Sequence, residues 1–148
     1  MCTFSDHGVA SFVITASTVG VATIIGSPSL AIMLLLSFAV LQAVTDEGGT
    51  ARRAQIPLYH VGGKTGTTMK YVDGSYASRR YISSFVGLAP IGNPRFVMAI
   101  TVDDPRSQQY YGGQIAAPVF ADVMDDVMRI YDIAPDKIDQ SMLVQRNN

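Results

Sequence analysis

Residues 62–70 read Gly62-Gly63-Lys64-Thr65-Gly66-Thr67-Thr68-Met69-Lys70, and the fold turns on whether this stretch is a phosphate loop or a strand. A phosphate-cradling loop has the pattern G-x-x-x-x-G-K-[ST], whose first glycine would fall five residues before Gly63. Leu58 stands there, so that reading fails. The remaining reading is a strand from Pro57 to Met69, in which Gly62, Gly63 and Gly66 mark places where something approaches the backbone closely.

Working outward toward the C-terminus, Val72-Asp73-Gly74-Ser75 is a turn signal. Tyr81 to Ala89 is rich in β-formers, Pro90 to Pro94 punctuates it, and Arg95 to Val102 alternates as a strand does. Residues 57–102 therefore read as three successive strands, most simply an antiparallel meander. The period then changes. Val119, Val123, Val127 and Ile130 share one helical stripe over residues 113–133, with Phe120, Met124, Met128 and Tyr131 beside it. Asp122, Asp125, Asp126 and Arg129 take the opposite side. Pro118 is placed in the first turn, and Ala134-Pro135 ends the helix. One amphipathic helix on a small antiparallel sheet is an α+β unit. It covers one sheet face and leaves the other for an apolar segment or for sequence outside this chain.

Outward toward the N-terminus the composition changes abruptly. Residues 8–45 carry no ionisable side chain, while residues 46–148 hold 11 acids and 11 bases. The uncharged run is long enough for a membrane span, which needs about 20 apolar residues. Gly26-Ser27-Pro28-Ser29 breaks it into two short halves, each nearer a buried or interfacial segment. No basic stretch precedes it, so it is not a secretory signal. Arg52 and Arg53 follow it and would hold that side in the cytoplasm if it spanned.

The 148 residues make one domain. Their net charge of −1 excludes a polybasic nucleic-acid binder. Cys2 is the only cysteine, and His7 and His60 are the only histidines. That excludes a disulfide framework and leaves no donor set for a zinc-type metal site. No cofactor is called for.

The chemistry lies in Lys64-Thr65-Gly66-Thr67. The K-T-G core accompanies S-x-x-K in serine acyl-transfer proteins. On a strand, Lys64 supplies a point charge, and Thr65 and Thr67 supply hydroxyls that donate to a carboxylate. Gly66 clears space for a substrate backbone. A strand-edge N–H such as that of Thr67 stabilises an acyl-transfer oxyanion, and losing one such donor costs about 10²–10³ in kcat.

Five segments carry a resemblance: AVTDEGGTARRAQIP (43–57), GGKTGTTMK (62–70), YISSFVGLAP (81–90), PRFVMAITVDDP (94–105) and YYGGQIAAPVFADVM (110–124). In order and spacing they resemble the C-terminal part of the transpeptidase domain of class B penicillin-binding proteins, most of all the septal, FtsI-like (penicillin-binding protein 3) group. The resemblance implies a fragment of the penicillin-binding protein and serine β-lactamase-like fold over residues 43–136. An apolar segment over 1–42, read as helical, precedes it, and a polar tail follows over 137–148. Residues 1–42 are expected either to enter a membrane or to be a non-native N-terminus.

The resemblance also implies roles. Lys64, Thr65 and Gly66 match the third active-site motif. Thr65 and Thr67 would bind the carboxylate of a D-Ala-D-Ala stem peptide or of a β-lactam, and the Thr67 N–H would be one of two oxyanion donors. Tyr110 and Tyr111 fall where family members place aromatic residues at the cleft rim, although a packing role explains a Tyr-Tyr-Gly-Gly turn as well. The setting implied is the inner membrane with the catalytic domain in the periplasm, among division proteins. No serine in the chain has Lys three residues later or Asn two residues later. The S-x-x-K nucleophile and S-x-N motif are thus missing, and the chain alone is expected to be inactive. A serine β-lactamase or D,D-carboxypeptidase fragment would share K-T-G but not the DEGGTA and YYGG segments. A small membrane-associated protein with a coincidental KTGT is the remaining alternative.

Overall fold

A computed structural model describes residues 10–15, 28–106 and 109–137. Strand β1 (Ala10–Thr15) and helix α1 (Pro28–Ala43) come first. Strands β2 (Gly62–Val72), β3 (Ser75–Ala89) and β4 (Phe96–Asp103) follow, then helix α2 (Gly112–Ile130). The sheet order is β1-β4-β3-β2, antiparallel throughout. The expected meander is therefore β2–β3–β4, and the α+β architecture holds. Asp73 and Gly74 both take positive φ, 52° and 82°, which is the backbone that a two-residue hairpin turn requires. Tyr71 and Tyr76 pack edge to face across that turn, with ring centroids 5.3 Å apart.

Three expectations are corrected. The leading apolar segment is not uniformly helical, because Ala10–Thr15 adds an edge strand on β4. A short apolar run has no period of its own, and pairing decides its state. The strand at the central motif starts at Gly62 rather than Pro57. Pro57 and Leu58 turn instead, closed by a bridge between Ile56 and Tyr59. Pro118 lies in the interior of α2, not in its first turn. A proline there cannot donate to the Gln114 carbonyl one turn back. The Arg53 guanidinium donates to that carbonyl instead, at 3.3 Å.

The face of α2 against the sheet is made by Ala116, Ala117, Phe120, Met124, Val127 and Met128, whereas Ile130 is 77% exposed. With Phe85, Met98 and Ile100 these residues form the core. The helix ends in a Schellman motif. The Ile133 N–H donates to Met128 O and the Asp132 N–H to Arg129 O, and Asp132 holds the left-handed position at φ 49°.

On the other face of the sheet, Val86 in central β3 is 46% exposed. Among the described residues no helix lies across that face, since α1 packs only against β2. None of the described helices is long and apolar enough to cross a membrane. Of the expected loop at Gly26-Ser27-Pro28-Ser29, Gly26 and Ser27 lie outside the described residues, as does the tail after Lys137, whereas Pro28 and Ser29 open α1, Pro28 at a first-turn position that needs no N–H donor.

The chain after α2 is fastened back to the loop before β2. Tyr59 donates its hydroxyl to Ile133 O at 2.6 Å, and Asp136 Oδ1 accepts the His60 N–H at 2.7 Å. Burial pushes the Tyr59 phenol above its ordinary value; the charges of Asp125, Asp132 and Asp136 add to this and Arg129 opposes it. A folded pKa raised above the unfolded one gives stability that is complete below the unfolded value, near 10, and lost as pH rises through the folded value. Tyr59→Phe is therefore expected to lower stability near neutrality by about 1 kcal/mol and to flatten the alkaline limb. Urea midpoints from about pH 8 to about pH 11 check this. An unchanged alkaline slope in the variant overturns the assignment.

Candidate functional site

Strand β2 is the edge of the sheet, so β3 occupies one side of its backbone and, among the described residues, no strand pairs with the other. Its side chains alternate between the two faces. A Cβ on Gly63 would meet the Phe85 ring at 2.5 Å, which fixes Gly63, Thr65 and Thr67 on the α2 side. Lys64 consequently leaves on the opposite face. Its ammonium is exposed, and its described hydrogen bond runs to Thr65 O at 3.2 Å.

Of the two threonines, Thr67 is held by the start of α2 and Thr65 pairs with the loop before β2. Gly112 donates its N–H to Thr67 Oγ1 at 3.1 Å. Tyr111, the residue at the N-cap, makes no side-chain cap bond, so a hydroxyl from the sheet satisfies one of the free N–H groups that every helix start presents. Thr65 Oγ1 lies 3.4 Å from Thr50 Oγ1. A Cβ on Gly113 would run into Thr50 O and come 3.4 Å from Thr65 Cγ2. Helix and strand can approach this closely only because both residues at the helix start are glycine. Gly66 serves the sheet in a similar way, since a Cβ there would sit 2.5 Å from Ser84 Oγ.

Tyr110 and Tyr111 sit just before α2. The Tyr110 ring stacks on Tyr81 at 4.2 Å and lies 4.5 Å from that of Tyr111. Its hydroxyl bonds that of Tyr111 at 3.2 Å, and this bond is the leading cause that raises the Tyr110 phenol pKa. The buried Ser83 donates its hydroxyl to Tyr110 O. Tyr110 is half-buried in the stack, while Tyr111 is 54% exposed.

The structure thus brings Thr65, Thr67, Tyr110 and Tyr111 to one end of the sheet around the first turn of α2, with Lys64 across the same edge strand. Sequence reasoning missed Thr50, Tyr81, Ser83 and Gly112 as their supports. One signal was available for Ser83: in the meander it pairs opposite Thr67. Among the described residues no cluster of His, Cys, Asp or Glu could hold a metal ion. As a chemical surface the site offers hydroxyl donors at a helix N-terminus, where the aligned peptide dipoles favour an anion.

Comparison with known proteins gives this surface a context. The family model described as "Penicillin binding protein transpeptidase domain" matches residues 37–125. The "Probable peptidoglycan D,D-transpeptidase PenA" of Neisseria meningitidis is 42% identical over 95 residues, which are 64% of this chain and 16% of that protein. The "Peptidoglycan D,D-transpeptidase FtsI" of Buchnera aphidicola is 39% identical over 97 residues, 66% of this chain and 17% of that one. The solved apo TP domain of Burkholderia pseudomallei penicillin-binding protein 3 superposes with a TM-score of 0.61 at 40% identity. That match covers 68% of this chain and 30% of the solved one. The chain spans about a sixth of the length of the curated relatives it matches.

Proposed function

This chain belongs to the penicillin-binding protein transpeptidase family, and from that membership we propose that it carries the peptide-binding strand of a septal peptidoglycan D,D-transpeptidase. Thr65 and Thr67 receive the terminal carboxylate of a D-Ala-D-Ala stem peptide, or the carboxylate of a β-lactam that imitates it. Lys64 adds a fixed positive charge from the other face of β2. Gly66 leaves room for the peptide along the open edge. The Thr67 N–H is an oxyanion donor, and Tyr110 and Tyr111 form the rim.

The observation that carries this reading is the bond from Gly112 N–H to Thr67 Oγ1. A hydroxyl has one proton to give and two lone pairs to receive with. Because the helix supplies a donor to Thr67, the Thr67 proton is left to donate outward to an anion. The positive end of α2 strengthens that interaction. Acyl transfer also needs a nucleophile and its activating base, and no S-x-x-K or S-x-N occurs in these 148 residues. The chain therefore supplies the binding half of the reaction. In the setting of the family this half works on the periplasmic side of the inner membrane, beside other division proteins.

Incubation with a fluorescent penicillin tests the reading. The expected result is no covalent adduct on the 148-residue chain, together with saturable amide shifts at Thr65 and Thr67 when D-Ala-D-Ala is titrated in. Those shifts are lost in Thr67→Val. A stable penicillin adduct on any serine of the chain, or titration shifts confined to residues away from β2, overturns it.

A further inference from the structure

We infer that the exposed tyrosine pair at the tip of the β2–β3 hairpin, Tyr71 and Tyr76, is a saccharide subsite. It holds the glycan end of the substrate whose peptide carboxylate lies at Thr65 and Thr67. The inference rests on the proposed function for the peptide end. The subsite itself is argued from exposure, position and charge.

The two ends of β2 differ. Gly62 and Gly63 are buried, and a Cβ on Gly62 would run into Ile91 Cδ1, so the strand is closed before Lys64. Thr67, Thr68, Met69 and Tyr71 are exposed. A peptide anchored at the threonines therefore lies along the open edge toward the hairpin tip. Tyr71 stands four residues beyond Thr67 and six beyond Thr65. At about 3.3 Å per strand residue this comes to roughly 13–20 Å, a gap that about four to six extended peptide residues span. In a peptidoglycan, the end of the stem peptide away from its free carboxylate is joined to a saccharide. That joint reaches the tip.

The tip suits a neutral, ring-shaped ligand. Tyr71 and Tyr76 are register partners across the hairpin and pack edge to face. Such a pair steadies a hairpin whatever else it does, yet after pairing the two residues are still 63% and 69% exposed. Ring faces carry partial negative charge, and the weakly positive C–H groups of a pyranose stack on them, while phenol hydroxyls reach the sugar hydroxyls. An apolar track joins tip to rim: Tyr110 stacks on Tyr81, Tyr81 pairs with the exposed Met69, and Tyr71 follows two residues on. Charge turns other ligands away. Lys70 is paired to Asp103 at 2.6 Å and Arg80 to Asp104 at 2.8 Å. Arg79 and Asp73, one of each sign, are the other charges among the described residues of the hairpin tip. A lipid surface calls for an excess of cations beside the rings, and a charged peptide for an unbalanced charge. The tip offers neither. The same two ion pairs tie the root of the hairpin to the end of β4, so the rings stand on a fixed base.

The test titrates the full 148-residue chain with D-Ala-D-Ala, with chitotetraose (a β-1,4-linked tetramer of N-acetylglucosamine) and with an N-acetylhexosamine disaccharide that carries the stem peptide, and follows amide and tyrosine-ring shifts. Chitotetraose is expected to move the ring signals of Tyr71 and Tyr76 and the amides from Met69 to Tyr76. The linked probe is expected to bind about 10-fold more tightly than D-Ala-D-Ala. Tyr71→Ala and Tyr76→Ala should each abolish that gain and leave the D-Ala-D-Ala shifts at Thr65 and Thr67 as they are. Tyr71→Phe retains the ring face and should keep more than half of the gain. Both tyrosines are exposed, so the far-ultraviolet spectrum of each variant should match that of the parent chain. Equal affinity for the linked probe and D-Ala-D-Ala, saccharide shifts that miss Tyr71 and Tyr76, or self-association of the chain through these rings overturns the inference. Saccharide shifts at Tyr71 and Tyr76 without any D-Ala-D-Ala shift at Thr65 and Thr67 leave the subsite standing and count against the proposed function instead.

Discussion

Gly112→Ala is expected to destabilise the chain by about 3 kcal/mol and to separate the helix start from the threonines. A Cβ at this position would run into Ser84 O and lie 2.6 Å from Gly66 O. Both are backbone atoms of the paired β2–β3 ladder, so neither can rotate aside as a flexible side chain would. The first turn of α2 must lift instead, and the Gly112 N–H then leaves Thr67 Oγ1. Urea denaturation should show a lower midpoint with an unchanged slope, since the surface exposed on unfolding is much the same. Amide exchange at Thr67 should accelerate in parallel. Gly92→Ala is the control: its Cβ would find its nearest atom, Asp136 Oδ2, at 4.0 Å, and no loss is expected. Equal midpoints for the two variants would show that α2 does not cross the strand as closely as described.

The same crossing explains what the sequence could and could not reveal. The meander was legible because β-formers, the Asp73-Gly74 turn and the Pro90–Pro94 break are local signals. That β2 is the open edge was not legible. It follows from Ala10–Thr15 pairing with β4, a long-range contact made by a segment with no helical or strand period of its own. The helical stripe was right in Val127 and in the neighbouring Phe120, Met124 and Met128. It missed Ala116 and Ala117, which are wholly buried. Ile130 fits the period but falls beyond the sheet, in the last turn.

At the site, alternation along β2 sends Lys64 and the two threonines to opposite faces, so the proposed binding groups converge only at the strand edge. The Tyr-Tyr-Gly-Gly segment could be read as a turn. That its glycines exist to let a helix N-terminus touch a strand required the structure.

Phe120→Ala is expected to have the largest effect of any single truncation in the described core, about 4 kcal/mol. Phe120 is wholly buried and packs edge to face on Phe85, with ring centroids 4.9 Å apart. A Cβ on Gly87 would lie 2.7 Å from its ring, and one on Gly63 would lie 2.5 Å from the ring of Phe85. The two aromatic rings therefore fill the space that these glycines vacate, and they form a continuous column from the middle of α2 to the strand that carries Lys64. Removing the outer ring leaves a cavity which the backbone of β3 cannot close without breaking its ladder. The variant should lose a large share of the roughly 5–15 kcal/mol that holds a typical domain together. In the molecules that remain folded, exchange of the amides from Gly63 to Thr67 should accelerate more than that of β4. Phe120→Leu keeps most of the volume and should recover more than half of the loss. If Phe120→Ala softens β4 and β2 equally, the column does not support β2 in particular, and the stiffness of Lys64-Thr65-Gly66 must come from Gly112 and the start of α2 alone.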